Sequence, residues 1–263
     1  MPTYNAKRFV STAVESILGQ TFEDFEFIIV DDCSTDGSSE ILRHYADRDH
    51  RIRVLTNARN LDFVRSRNVG IAEARGAFIA NMDSDDVALP TRLAEQYAFM
   101  KANPAVGVCG AAVIVIDEND RELGIRRYRA DDGDLRARWF LFNPVAQPVT
   151  MIRRDVLDDT GPYNPDHILA DDLDLWFRIG IRHRLANLQT PLLKYRVHRS
   201  SATGQRLADM HRAAARVRAI ARREYGYRPS VVMRAGEILA SWTMVIPPEQ
   251  RIAMFNWLRS RLS

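Results

Sequence analysis

Twice in its N-terminal half the chain runs an apolar segment of strand length straight into acidic residues. Phe25 to Val30 ends in Asp31-Asp32, and Phe78 to Met82 ends in Asp83-Ser84-Asp85-Asp86. The segments around them carry helical periodicity. Residues 5 to 19 place Val10, Val14, Ile17 and Leu18 on one face, with Asn5 as the candidate cap. A second helix is predicted from about Ser38, with Ile41, Leu42 and Tyr45 inward, and a third over residues 63 to 74, stopped at Gly76. Arg51 to Thr56 alternates like a strand, and Pro90 opens a helix bearing Leu93, Tyr97 and Met100. This alternation of strands and helices predicts an α/β domain with a mainly parallel central sheet and flanking helices. In open sheets of that kind the ligand crevice lies at the carboxyl ends of the strands. The two acidic groups are therefore predicted to converge there.

Beyond Pro104 the pattern changes. Val106 to Ile116 is strand-like and broken at Gly110, residues 117 to 134 form a polar loop or hairpin, and a helix is predicted from Leu173 to Ile181. Residues 205 to 225 form a basic helical stretch with Met210, Ala214, Val217 and Ala221 on one side. The predicted organisation is one domain over residues 1–204 and a basic helical C-terminal extension over 205–263. A chain of 263 residues is long enough for that core.

Two function classes are disfavoured by composition. No run of about 18 apolar residues is present, which disfavours a spanning helix, and the start MPTYNAKRF lacks the layout of a signal peptide. A cytoplasmic protein is expected, with Cys33 and Cys109 as reduced thiols. Residues 199 to 263 hold 12 Arg against 4 acidic residues, a local charge of +8 that leaves −5 for the rest. That tail suits an anionic lipid surface or a diphosphate-bearing acceptor, and IAMFNWLRSRLS at its end is amphipathic, as a peripheral membrane contact requires. The plainer reading is a solvated basic face, since Arg outnumbers Lys 34 to 3 throughout. No nucleic-acid partner is expected.

Asp83, Asp85 and Asp86 lie within four residues at a strand end. Hard divalent cations such as Mg²⁺ and Mn²⁺ prefer carboxylate oxygens, often one or two from the protein with the rest from substrate phosphates. Alone the signal is weak, because aspartate also serves turns and helix caps, and capping the helix near Pro90 is the plain alternative for Asp86.

Taken together the motifs say more. The chain carries MPTYNA, then VDDCSTDGS, then RSRNVGIAEARGAFIANMDSDD followed by PTRLAEQ, then NPVAQPVTMIRR, GPYNPDHILADDLDLWFRIG and YRVHRSSAT. In this order and spacing they resemble the family 2 inverting glycosyltransferases of the GT-A fold, over about residues 1 to 204. The resemblance implies that Pro2, Thr3 and Tyr4 line the nucleotide base, that Asp31 or Asp32 contacts it, with Asp32 favoured, and that Arg67 approaches the diphosphate. Ser34 and Asp36 are expected to form the turn and cap the next helix, and Asn68 to be structural. Asp83 is implied to meet ribose or metal-bound water, and Asp85 the metal, which would be Mn²⁺ or Mg²⁺. His198 completes the metal site in relatives with the YR-x-H pattern, where Arg196 and Arg199 are the candidates for phosphate contact. Asp172 is implied as general base, and Asp171 stands where a Glu is usual. Trp176 is expected in the core, at the border of the acceptor.

The activity so implied is transfer of a sugar from a UDP- or dTDP-linked donor to a glycan or lipid-linked acceptor. One departure stands out. The family has a short apolar strand before PTYN, and Met1 sits where that strand would end. Either translation starts upstream or the sheet lacks a strand, and the second case would weaken the nucleotide pocket. A nucleotidyltransferase would also use paired aspartates and Mg²⁺, but it predicts a basic glycine-rich phosphate loop near the N-terminus. A non-catalytic nucleotide-sugar-binding protein is the third possibility.

Overall fold

The apolar run before Asp32 forms a strand whose every residue is buried, Phe27–Asp31, called β2. A strand covered on both faces is apolar throughout rather than alternating. It pairs in parallel with β1, Pro2–Thr3, on one side and with β3, Ile52–Thr56, on the other. The helices α1 (Val10–Leu18) and α2 (Ser38–Ala46) make the crossovers, and α3 (Phe63–Glu73) follows β3 and packs on β2. The computed structural model describes residues 1–198, 206–231 and 233–234.

The expected Asn5 cap does not form. Helix α1 starts at Val10, and Asn5 takes a left-handed φ of 48°. Its Oδ1 instead accepts hydrogen bonds from Thr35, at 2.8 Å from the backbone N–H. The Ser34 hydroxyl accepts from the Asn5 N–H, and Asp36 accepts from both Lys7 N and Ser38 N. Two loops at the carboxyl ends of β1 and β2 are thus stitched together, and Asp36 does serve the start of α2.

The strand before the acidic cluster, β4 (Phe78–Ala80), does not extend the parallel sheet. It pairs antiparallel with β8 (Met151–Arg153), at the edge of a second sheet of order β4-β8-β6-β9-β5. In that sheet β5 is Val87–Ala88, β6 is Val106–Ile116 and β9 is Arg184–Arg196, with β7 (Glu122–Arg126) paired to β6. Strands β6 and β9 run parallel, and the other pairs are antiparallel. Strand β6 continues straight through Gly110. A Cβ there would come within 2.2 Å of Asn187 Oδ1 and 2.3 Å of Val145 Cγ1, so glycine marks a close approach and not a break.

Strand β1, two residues long, is the edge of the first sheet. Between β2 and β4 lies a cavity of about 640 Å³, lined largely by apolar side chains including Phe25, Phe27, Ile28, Phe78, Tyr97 and Met151. The Met1 α-amino group donates to the Ile28 carbonyl at its rim, and burial pushes its pKa down to about 5.

Helices α4 (Arg92–Ala102), α5 (Asp132–Arg136), α6 (Arg154–Thr160) and α7 (Asp171–Ile179) complete the described domain. The largest core cluster surrounds α7, with Trp139, Trp176 and Phe177 buried in it. The basic stretch forms α8, Leu207–Arg223, and buries Ala213, Val217 and Ala221 in the same cluster. Tyr225, just beyond it, donates its hydroxyl to Asp174 at 3.0 Å. Cys33 and Cys109 are both free thiols. Arg199 and the amphipathic stretch from Ile252 lie outside the described residues. Among the described residues, no helix is long and apolar enough to cross a membrane.

Candidate active site

Asp83, Ser84 and Asp85 follow β4 on a turn and remain half-buried, while Asp86 is 1% exposed. Asp86 does not cap α4, which starts at Arg92. Its Oδ1 accepts from the Arg196 N–H at 2.8 Å, tying the end of β9 to the cluster. Arg196 completes the clasp by donating through Nε to the Asp85 carbonyl at 2.7 Å, and it pairs with Asp120. Its guanidinium is buried in this structural work, which accounts for its role without phosphate. The consequence falls two residues further on, where His198 Nε2 comes within 2.9 Å of Asp85 Oδ2.

Three carboxylates in four residues repel one another. Burial raises the pKa of Asp83, with Arg67 working against it and Asp85 adding to the rise. Burial raises Asp86 far more, and Asp85 and Asp83 add to it. Such stored repulsion is what a cation relieves. Among the described residues, no three His, Cys, Asp or Glu side chains converge to hold a metal ion by themselves. The Asp85–His198 pair nonetheless fits a Mg²⁺ or Mn²⁺ ion of the kind that takes few protein ligands and fills its shell with phosphate and water.

Arg67 joins this cluster to α7. One guanidinium nitrogen lies 3.0 Å from Asp171 Oδ2 and another 3.6 Å from Asp83 Oδ1, and the group stacks 4.8 Å from the Tyr163 ring. Asn68, one turn position away, makes two hydrogen bonds to the Tyr163 backbone and is structural, as expected. Asp171 is 4% exposed, and burial lifts its pKa to about 7 despite Arg67. Its partner explains the shorter side chain: aspartate suffices to reach Arg67.

Asp172 differs from its neighbours. Asp171 and Asp174 are buried and paired with arginine, whereas Asp172 is half-buried at the first turn of α7. It accepts from Leu173 N at 2.7 Å and from Asn143 Nδ2 at 2.5 Å. Burial raises its pKa, and those two hydrogen bonds and Arg67 pull it back. Asn143 had no sequence signal beyond lying in the NPV segment. Trp176 is fully buried and belongs to the core.

The predicted base-binding residues lie at the carboxyl ends of β1 and β2. Tyr4 is 51% exposed, Pro2 half-buried, and Thr3 buried with its hydroxyl lacking a protein partner. Asp31 accepts from Ser39 Oγ and Ser34 N. Asp32 accepts from Asn57, Leu61 and Asp62, which takes up most of a carboxylate's acceptor capacity. Both acids are buried and hold loops in place.

Residues 1–161 match the model of glycosyl transferase family 2. The chain belongs to that family. Among its family 2 relatives, the Escherichia coli O-antigen biosynthesis glycosyltransferase WbnJ is 32% identical over 79% of this chain and 82% of its own length. An uncharacterized glycosyltransferase of Haemophilus influenzae is 28% identical over 74% of this chain and 63% of its own length. The structure of S. aureus TarS 1–349 in complex with UDP-GlcNAc superposes with a TM-score of 0.67 at 21% identity, covering 82% of this chain and 64% of that one. The chain thus spans under two thirds of the Haemophilus and TarS chains. The TarS likeness shows the α/β GT-A fold.

Proposed function

We propose that this family 2 chain transfers a sugar from a nucleoside-diphosphate donor to an acceptor hydroxyl with inversion. The observation that carries the reading is the arrangement around Arg67. One side of it holds Asp83, beside Asp85 and His198, and the other holds Asp171, beside the half-buried Asp172. Donor diphosphate and acceptor hydroxyl need such a pair of adjoining half-sites.

In this mechanism the Asp172 carboxylate takes the proton of the acceptor hydroxyl. The freed oxygen forms a bond to the anomeric carbon as the bond to the diphosphate oxygen breaks, with both electrons leaving on the nucleoside diphosphate. A single in-line displacement inverts the centre. Asp85 and His198 would hold a divalent ion, which when bound would supply positive charge against the leaving diphosphate. Arg67 adds a fixed positive charge, and Thr3 and Tyr4 border the base. A UDP- or dTDP-linked donor is favoured, the former supported by the UDP-GlcNAc complex of TarS. A glycan or lipid-linked acceptor is supported by the O-antigen role in WbnJ's name, and a cytoplasmic chain with a peripheral contact through the basic extension accords with a lipid-linked one.

A thermal-shift panel of nucleotide sugars tests the reading. The matching donor should raise Tm by several degrees when Mn²⁺ is present at ligand concentrations far above Kd, and EDTA should cancel the rise. Absence of any shift, together with absence of sugar release or transfer from every donor, would refute it.

A further inference from the structure

A proton acceptor must present a defined lone pair, and both oxygens of Asp172 are held. Oδ1 takes the Leu173 N–H, and Oδ2 takes the Asn143 amide at 2.5 Å. Asn143 and Asp172 are both half-buried, so neither is closed off in the core.

Asn143 is itself fixed from either side. Phe140 is 3% exposed and packs 5.3 Å from Phe177 on the helix that carries Asp172. Pro144 accepts through its carbonyl from Asn187 on β9, and Val145 is fully buried. Gly110 on β6 is what allows Val145 and Asn187 to lie so close. The Asn143 side-chain Oδ1 in turn accepts from the Val145 N–H at 3.4 Å, which leaves the amide nitrogen toward Asp172. A loop between two anchors therefore delivers one donor to one carboxylate oxygen, the kind of support a precise site requires.

We propose that Asn143 is a positioning residue that holds the Asp172 carboxylate in the orientation that meets the acceptor hydroxyl. The inference rests on the reading of Asp172 as the proton acceptor. The amide also favours the ionised carboxylate, because a hydrogen bond to the charged form stabilises it. The other groups facing Asp172 are Arg67 from α3, Asp171 on its own helix and the Tyr163 phenol. Loss of the amide leaves burial opposing ionisation, with the Leu173 N–H and Arg67 still favouring it.

The test is the pH profile of transfer by Asn143→Ala and the near-isosteric Asn143→Asp, compared with Asp172→Asn. The alanine variant should move the acidic limb of kcat/KM up by about one pH unit and lower kcat about tenfold near neutrality, with the donor KM unchanged. The aspartate variant should move the limb further, since a second carboxylate disfavours ionisation. That order is not expected of a residue that only packs. If both variants keep the wild-type limb and kcat while Asp172→Asn is inactive, the positioning role is overturned and the base assignment stands. If Asp172→Asn itself turns over normally, the base assignment fails and the inference with it.

Discussion

Replacing Asp85 with alanine is expected to abolish transfer and the Mn²⁺-dependent stabilisation by nucleoside diphosphate together. Asp85 contributes one of two metal-suited side chains at the site, and its partner His198 lies 2.9 Å away. On the proposed reading one protein ligand would be left, so the ion would lose most of its hold and the diphosphate the charge that binds it. Turnover should fall by about 10³-fold or more, on the scale of removing a main electrostatic contact to the leaving group. Titration calorimetry of UDP with and without Mn²⁺ separates the two losses. The fold should survive, because Asp85's carboxylate is only half-buried and its structural link to Arg196 runs through the backbone carbonyl. An Asp85→Ala protein that binds UDP with Mn²⁺ as wild type does would remove Asp85 from the metal site.

Replacing Asp172 with asparagine should have the opposite profile. Nucleotide binding is expected to persist, while kcat drops by about 10³-fold, within the range of a lost general base. The pH dependence gives a second reading. The base acts only when ionised, so wild-type activity should rise with pH through the Asp172 pKa. Burial raises that pKa from its ordinary carboxylate value. The rise should therefore come at higher pH than for an exposed aspartate. Asp171 beside it is raised to about 7 by burial, with the Asp172 charge adding to the rise. Stopped-time product assays across the pH range, paired with thermal shift by UDP and Mn²⁺, would decide the matter.

The contrast between these neighbouring acids shows where sequence reading stops. From the order of residues, Asp171, Asp172 and Asp174 all look like charges at a helix N-terminus. The family resemblance singles out Asp172, and the packing shows what holds the other two. Arg67, 104 positions before Asp171, takes that acid, and Arg178 with Tyr225 takes Asp174. Asp172 is left facing the cleft. Asp86 shows the same limit. Local pattern suggests a cap for the following helix, yet its carboxylate is drawn 110 positions along the chain to Arg196 N. Asn5 is likewise taken from its own helix by Thr35.

The sequence by itself determined the alternation of buried strands and amphipathic helices, the acidic strand ends and the set of motifs that resembles family 2. Those are local properties: hydrophobic period, turn chemistry and spacing along the chain. Tertiary structure alone decided that β4 pairs with β8 and leaves the parallel sheet, that Asp86 clasps the end of β9, and that Asn143 holds Asp172. Each depends on contacts between residues far apart in the chain, set by burial and by which polar groups could be satisfied once the core closed. The acidic strand end that most constrained the fold was visible from the start. What was not visible was the partner of its buried member, since Asp86 clasps the Arg196 N–H instead of capping the next helix.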